Sequence, residues 1–213
     1  MRAKLLARLL VVGVLAVAGV VGYREWSARQ LPAQLLPHVK NVSLRVANSL
    51  AYELQPSNIT YKELFEAIDK HLTEIDSKII DAQTLETAKN RNAVEPLLEY
   101  LRAVQEVLRA QQSMYRKQLE LSSALDSARD AVMELRRSSV YGYDYAKQSA
   151  DRAEERSTKA SAEYAEARDG FRKALEKLGK ARAKAARVAP PETLCDPGLT
   201  TEVLVKLAKE SPA

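Results

Sequence analysis

The residues that could do chemistry in this 213-residue chain are few and scattered. His38 and His71 stand in different segments and do not share the spacing of a helical metal site. Asp126, Asp130 and Glu134 repeat every fourth residue and so share one helix face. Arg129 and Arg137 are close enough along that face to pair with them, which predicts a solvated salt-bridge face rather than a catalytic or metal-binding one. Cys195 is the single cysteine, so an intramolecular disulfide is excluded. The expectation is a spectator thiol in a C-terminal tail, with an intermolecular bridge as the alternative. Nucleophile-elbow, P-loop, dinucleotide-fingerprint and zincin motifs do not occur. The expectation is therefore no catalytic, cofactor-binding or metal-ligating residue, no enzyme activity and no small-molecule substrate.

Two clusters fit surfaces better than reactions. Tyr141, Tyr143 and Tyr145 flank Gly142 and could contact a protein partner, stack on a sugar, or pack over the open end of a bundle. Residues 171–188 carry seven Lys/Arg against Glu176, a net +6. Lys173, Lys177, Lys180, Arg182, Lys184 and Arg187 could meet anionic headgroups, at about 1 kcal/mol each. The same cations also suit a helix C-terminus through its macrodipole. Nucleic acid is not expected, because no aromatic residues interleave with the basic ones.

The elements that must carry these residues are helices. Charged residues make up 29% and aromatics 6% of the chain. With helical periodicity, that mix points to long helices and coiled coils rather than a thick globular core. Three of seven glycines (Gly13, Gly19, Gly22) lie in the first 23 residues, leaving too few elsewhere for a turn-rich β fold.

Residues 9–21 read LLVVGVLAVAGVV without a polar side chain. A basic start (Arg2, Lys4, Arg8), the aromatics Tyr23 and Trp26, and the lack of a small-residue cleavage site favour an uncleaved transmembrane helix over a signal peptide. The charge bias keeps the N-terminus in the cytoplasm and sends the body across, most simply in a bacterial inner membrane with the body in the periplasm.

Beyond the anchor, Leu31-Pro32 and Leu36-Pro37 are expected to break the chain, leaving a short helix over 39–54 with Val39, Val42, Val46, Leu50 and Leu54 on one face. Thr60 and Glu63 form a capping box. From there Tyr61, Phe65, Ile68, Leu72, Ile75, Ile79 and Ala82 make a heptad seam ending near Asn90. Glu95-Pro96 is expected to open a third helix. Its seam runs through Leu97, Leu101, Val104, Leu108, Gln111, Met114, Gln118, Leu121, Leu125, Ala128, Val132 and Leu135. Gln111 and Gln118 there lower stability but can fix register.

The fourth helix has the most regular pattern, thirteen positions from Ala146 to Val188 at alternating spacings of four and three. Seven of the first eleven are alanine, which predicts close backbone approach and little apolar area per contact. Near-equal lengths about Gly142 predict an antiparallel hairpin, with the tyrosine tip far from the membrane and the basic end beside it. Pro190-Pro191 stops the helix, and 199–209 is expected as a short helix or frayed tail.

The fold expectation is all-α: an N-terminal transmembrane helix (1–23), a juxtamembrane segment with a short helix (24–60), a coiled-coil body (61–189) and a Pro-containing C-terminal tail (190–213). The functional expectation is a membrane-anchored extracytoplasmic scaffold or adaptor. Its partners would be the lipid bilayer and another protein, or a second copy through the coiled coil. A ligand-binding or sensor bundle and an accessory subunit of a larger membrane complex are the alternatives.

Overall fold

The computed structural model describes residues 30–54, 60–85, 90–138 and 142–209. All regular structure among them is helical: α1 (30–54), α2 (Tyr61–Leu85), α3 (Arg91–Arg137), α4 (Tyr143–Ala185) and α5 (Pro197–Lys209), with a 3-10 turn at Pro191–Thr193. The expected anchor, residues 1–23, lies outside the described residues. Among those described, no helix is long and apolar enough to cross a membrane.

Helix α1 corrects one expectation. It is helical from residue 30 and passes through Pro32 and Pro37 instead of starting after them. The reason is its apolar stripe. Leu31, Leu35, Val39, Val42, Val46 and Leu50 follow one face and are all buried. Two buried leucines contribute about 1.5–3 kcal/mol each, enough to offset the roughly 3 kcal/mol of an interior proline.

Helix α2 starts as its sequence predicts. The Thr60 backbone N–H donates to Glu63 Oε2 at 2.9 Å, and the Glu63 N–H donates to Thr60 Oγ1 at 3.3 Å. Those donors hold the Glu63 carboxyl below its usual range, the Thr60 N–H most of all and the hydroxyl next. Thr60→Ala is expected to lower stability by about 1 kcal/mol in urea titrations. A change below about 0.3 kcal/mol would show that the box does not cap the helix.

Helix α3 begins one turn before its expected opening, at Arg91, with Pro96 inside it. Val94 is fully buried and extends the stripe of Leu97, Leu98 and Leu101 backwards. Packing therefore sets the start, and Asn92, whose carbonyl Pro96 leaves without a donor, sits exposed.

Cross-helix bonds fix the directions. Arg45 of α1 meets His71 and Glu74 of α2. Asp76 and Asp69 of α2 bond Gln105 and Gln112 of α3. Lys184–Glu99 (2.7 Å), Lys177–Glu106 (2.8 Å) and Lys117–Glu163 (2.7 Å) run in reverse order along α3 and α4. The predicted antiparallel hairpin is thus present, and α1 to α4 alternate in direction. Helix α5 lies along the bundle, with the Cys195 N–H on Tyr100 Oη before its start and Arg168 Nη2 on the Leu207 carbonyl near its end.

The core occupies only the lower half of the hairpin. Around 94–115 nearly every side of α3 is buried, which explains why the neighbours Val107 and Leu108 are both inaccessible. Beyond the Lys117–Glu163 pair, only α3 and α4 continue among the described residues. About 20 further residues of each give a two-helix stalk roughly 30 Å long.

Within this stalk the predicted α3 seam is partly wrong. Leu125 and Val132 are 53% and 42% exposed, and Ala124 and Ala131 face inward instead, beside Ala128, which does so as predicted. The partner explains the rotation. All thirteen α4 seam positions are buried or half-buried as predicted. Their alanines let the helices approach closely, and bulky residues on α3 would hold them apart.

Candidate functional site

The candidate residues singled out in the sequence fall in separate places. His38 is exposed on α1. His71 is half-buried on α2, with Nδ1 2.8 Å from Arg45 Nη1 and Glu74 on the same guanidinium. Burial first, then the Arg45 charge, push its pKa down, so it accepts that bond as a neutral ring. No group of His, Cys, Asp or Glu among the described residues is arranged to hold a metal ion.

The acidic trio is also corrected. Asp126, Asp130 and Glu134 are exposed, and none pairs with Arg129 or Arg137 among the described residues. Exposed ion pairs gain little over solvation, so long side chains on such a face remain with water.

Cys195 is not a tail thiol. It is 2% exposed, lodged between the end of α4 and α5, and burial raises its pKa. Its N–H donates to Tyr100 Oη at 2.9 Å and its carbonyl accepts from Arg182 Nε at 2.6 Å. The segment expected as a tail is thereby pinned into the core.

Of the basic end, Lys177 and Lys184 pair across to α3, Lys173 pairs with Asp169 on its own helix, and Arg182 holds the Cys195 carbonyl. Lys180 and Arg187 are exposed and make no ion pair among the described residues. At the other end Tyr143 and Tyr145 are exposed, while Tyr141 lies outside the described residues. The two clusters sit at opposite ends of α4 and form no common site.

Sequence reasoning missed a ladder of buried polar rungs joining α1 to α3. Ser43 Oγ lies 2.7 Å from Tyr100 Oη. Ser49 bonds Gln111, and Gln111 Nε2 donates to the Ser49 carbonyl (2.9 Å) and to Glu53 Oε1 (3.1 Å). Tyr115 Oη donates to the same Glu53 oxygen, and Lys206 of α5 reaches the Glu53 carbonyl. Burial pushes the Tyr100 phenol up to about 12, and burial followed by the Glu53 charge raises Tyr115 further. Tyr52 and Tyr61 pack on Tyr115, with ring centroids 6.0 and 5.6 Å away. Every buried side-chain polar atom among the described residues has a partner, so the ladder is closed on itself. Only Gln111 was visible in advance, as a polar residue at a seam position.

Shallow grooves run between α3 and α4 along both the bundle and the stalk. One groove between α3 and α4 is walled by Arg129, Val132 and Arg136 on one side and by Ala150, Asp151 and Glu154 on the other. Leu125, one heptad before Val132, continues its apolar flank. This arrangement has no chemistry for bond making; it presents apolar side chains edged with charge, which is the make-up of a helix-packing surface.

Comparison with protein families, with curated proteins and with solved structures returns no match for this chain.

Proposed function

We propose that this chain is a membrane-anchored helical scaffold or adaptor, with its N-terminus in the cytoplasm and its body on the far side, acting through helix–helix contacts. The observation that carries the proposal is the stalk, which extends about 30 Å past the bundle with Leu125, Val132 and Met133 exposed along it. A protein that needed only to fold gains nothing from such an extension, since it adds exposed apolar surface and little buried area.

The apolar run of residues 9–21 and the basic residues before it support the anchor and its direction. Because α1 ascends from residue 30, an anchor before it places the base of the bundle at the bilayer and Tyr143 and Tyr145 at the far tip. Lys180 and Arg187, exposed toward that base, are then the cations available to anionic headgroups.

A reporter fused after Ala213 tests the topology. Activity confined to the extracytoplasmic side is expected, and cytoplasmic activity overturns it. Photo-crosslinkers at Leu125 and Val132 in native membranes should trap a protein. Crosslinkers at these positions that react only with lipid or solvent would remove the scaffold reading.

A further inference from the structure

We infer that the stalk's grooved face is a homodimer interface, on which a second copy of this chain packs to form a four-helix bundle. The inference deepens the helix-contact reading above and rests on it. Its basis is an arrangement of charge that complements itself. One wall of the groove, from α3, carries Arg129 and Arg136; the other, from α4, carries Asp151 and Glu154. All four side chains are exposed, and none has an ion-pair partner among the described residues. In the lower half of the same hairpin, opposite charges do meet across the two helices, at Lys117–Glu163, Lys177–Glu106 and Lys184–Glu99. The stalk thus withholds the pairing that the bundle makes.

A two-fold axis along the hairpin sets α3 of one copy beside α4 of the other, twice. Arg129 of each copy then faces Asp151 and Glu154 of the other, as a closed isologous interface requires. Lys147, one turn nearer the tip, is level with Arg136 in the register of the ion pairs, so Arg129 carries the complementarity. Leu125 and Val132, 53% and 42% exposed, fall between the charged rows and become the new apolar seam. The alanine-lined α3–α4 contact keeps each hairpin thin, so a second hairpin is what completes a bundle of ordinary thickness.

The area is sufficient. A face about 30 Å long and two helices wide covers roughly 600 Å² per copy, or about 1,200 Å² in total, the lower end of specific interfaces. An axis along the hairpin also lets both copies stand in one membrane with their anchors side by side. Charge complementarity at such an interface selects the partner and its orientation as much as it adds affinity.

The test uses the full chain in density-matched detergent, followed by sedimentation equilibrium. The wild-type chain is expected to be a dimer. R129E sets a carboxylate opposite Asp151 and Glu154, and D151R/E154R sets arginines opposite Arg129. Each variant alone should weaken dimerisation at least tenfold, and an equimolar mixture should restore it, because the two changed walls are again opposite in sign. L125D/V132D should also be monomeric, with circular dichroism showing an unchanged helical body. A wild-type chain that stays monomeric overturns the inference, and so do reversal variants that dimerise like wild type or a mixture that fails to recover. If the wild type is monomeric but crosslinkers on this face trap a different protein, the second copy is the wrong occupant and the scaffold reading stands. Loss of all trapped protein fails that reading as well.

Discussion

Phe171→Ala is expected to destabilise the body by about 3–5 kcal/mol, the largest loss for any α4 residue. Phe171 is the bulkiest fully buried member of a seam in which alanine predominates. The ion-pair register of α3 and α4 places it level with Gln111, where α1 and α2 enclose the hairpin. Its seam neighbours Ala167 and Ala174 are too small to fill the space it leaves, so the cavity term adds to the lost transfer energy. For a body of this size the thermal midpoint should fall by about 6–20 °C. Phe171→Leu, which keeps most of the volume, should cost less than half as much. Thermal and urea unfolding of the full chain followed by circular dichroism read both. A loss below about 1 kcal/mol for the alanine variant would mean that the hairpin does not depend on this side chain to bind the bundle.

The second large effect separates two glutamines that look equivalent along the chain. Gln111→Ala removes the donor to the Ser49 carbonyl and one of the donors to the buried Glu53 carboxylate. Leaving those acceptors short of a partner in a dry interior should cost about 2–4 kcal/mol. Gln118→Ala should change stability by less than about 0.5 kcal/mol, because Gln118 is half-buried and makes no side-chain hydrogen bond among the described residues. Equal costs for the two would show that the Ser49–Gln111–Glu53 rung is not what holds α1 in register on α3.

The same pair shows what could be read in advance. Both glutamines were visible as polar residues at seam positions, and a register role was the natural expectation for each. Which one does it depended on what lies opposite. Gln111 faces Ser49 and Glu53 of α1, some 60 residues away in the chain. Gln118 lies just past the level of residue 54, the last described residue of α1. A single helix's periodicity carries no information about that boundary.

Cys195 and the prolines make the same point from the other side. A segment with Pro190, Pro191 and Pro197 reads locally as a tail, yet Leu194, Cys195, Val203 and Leu207 are all buried. Likewise Pro32 and Pro37 read as breaks, yet Leu31 and Leu35 draw the helix through them. Local propensity is worth a few kcal/mol at most, and burial of neighbouring apolar side chains outweighs it.

The helices, the α2 capping box, the alanine seam of α4 and the antiparallel hairpin were legible before any packing was known. Those follow from spacings of three and four and from near-equal helix lengths, which are properties of the chain alone. How far the bundle climbs the hairpin, which α3 residues turn outward above it, and where the buried polar rungs close depend on packing between helices. The reason is that inward and outward are not properties of a residue. Leu125 and Val132 have the spacing of a core, but α4 presents alanines there, and close backbone approach selected Ala124 and Ala131 in their place, beside the expected Ala128.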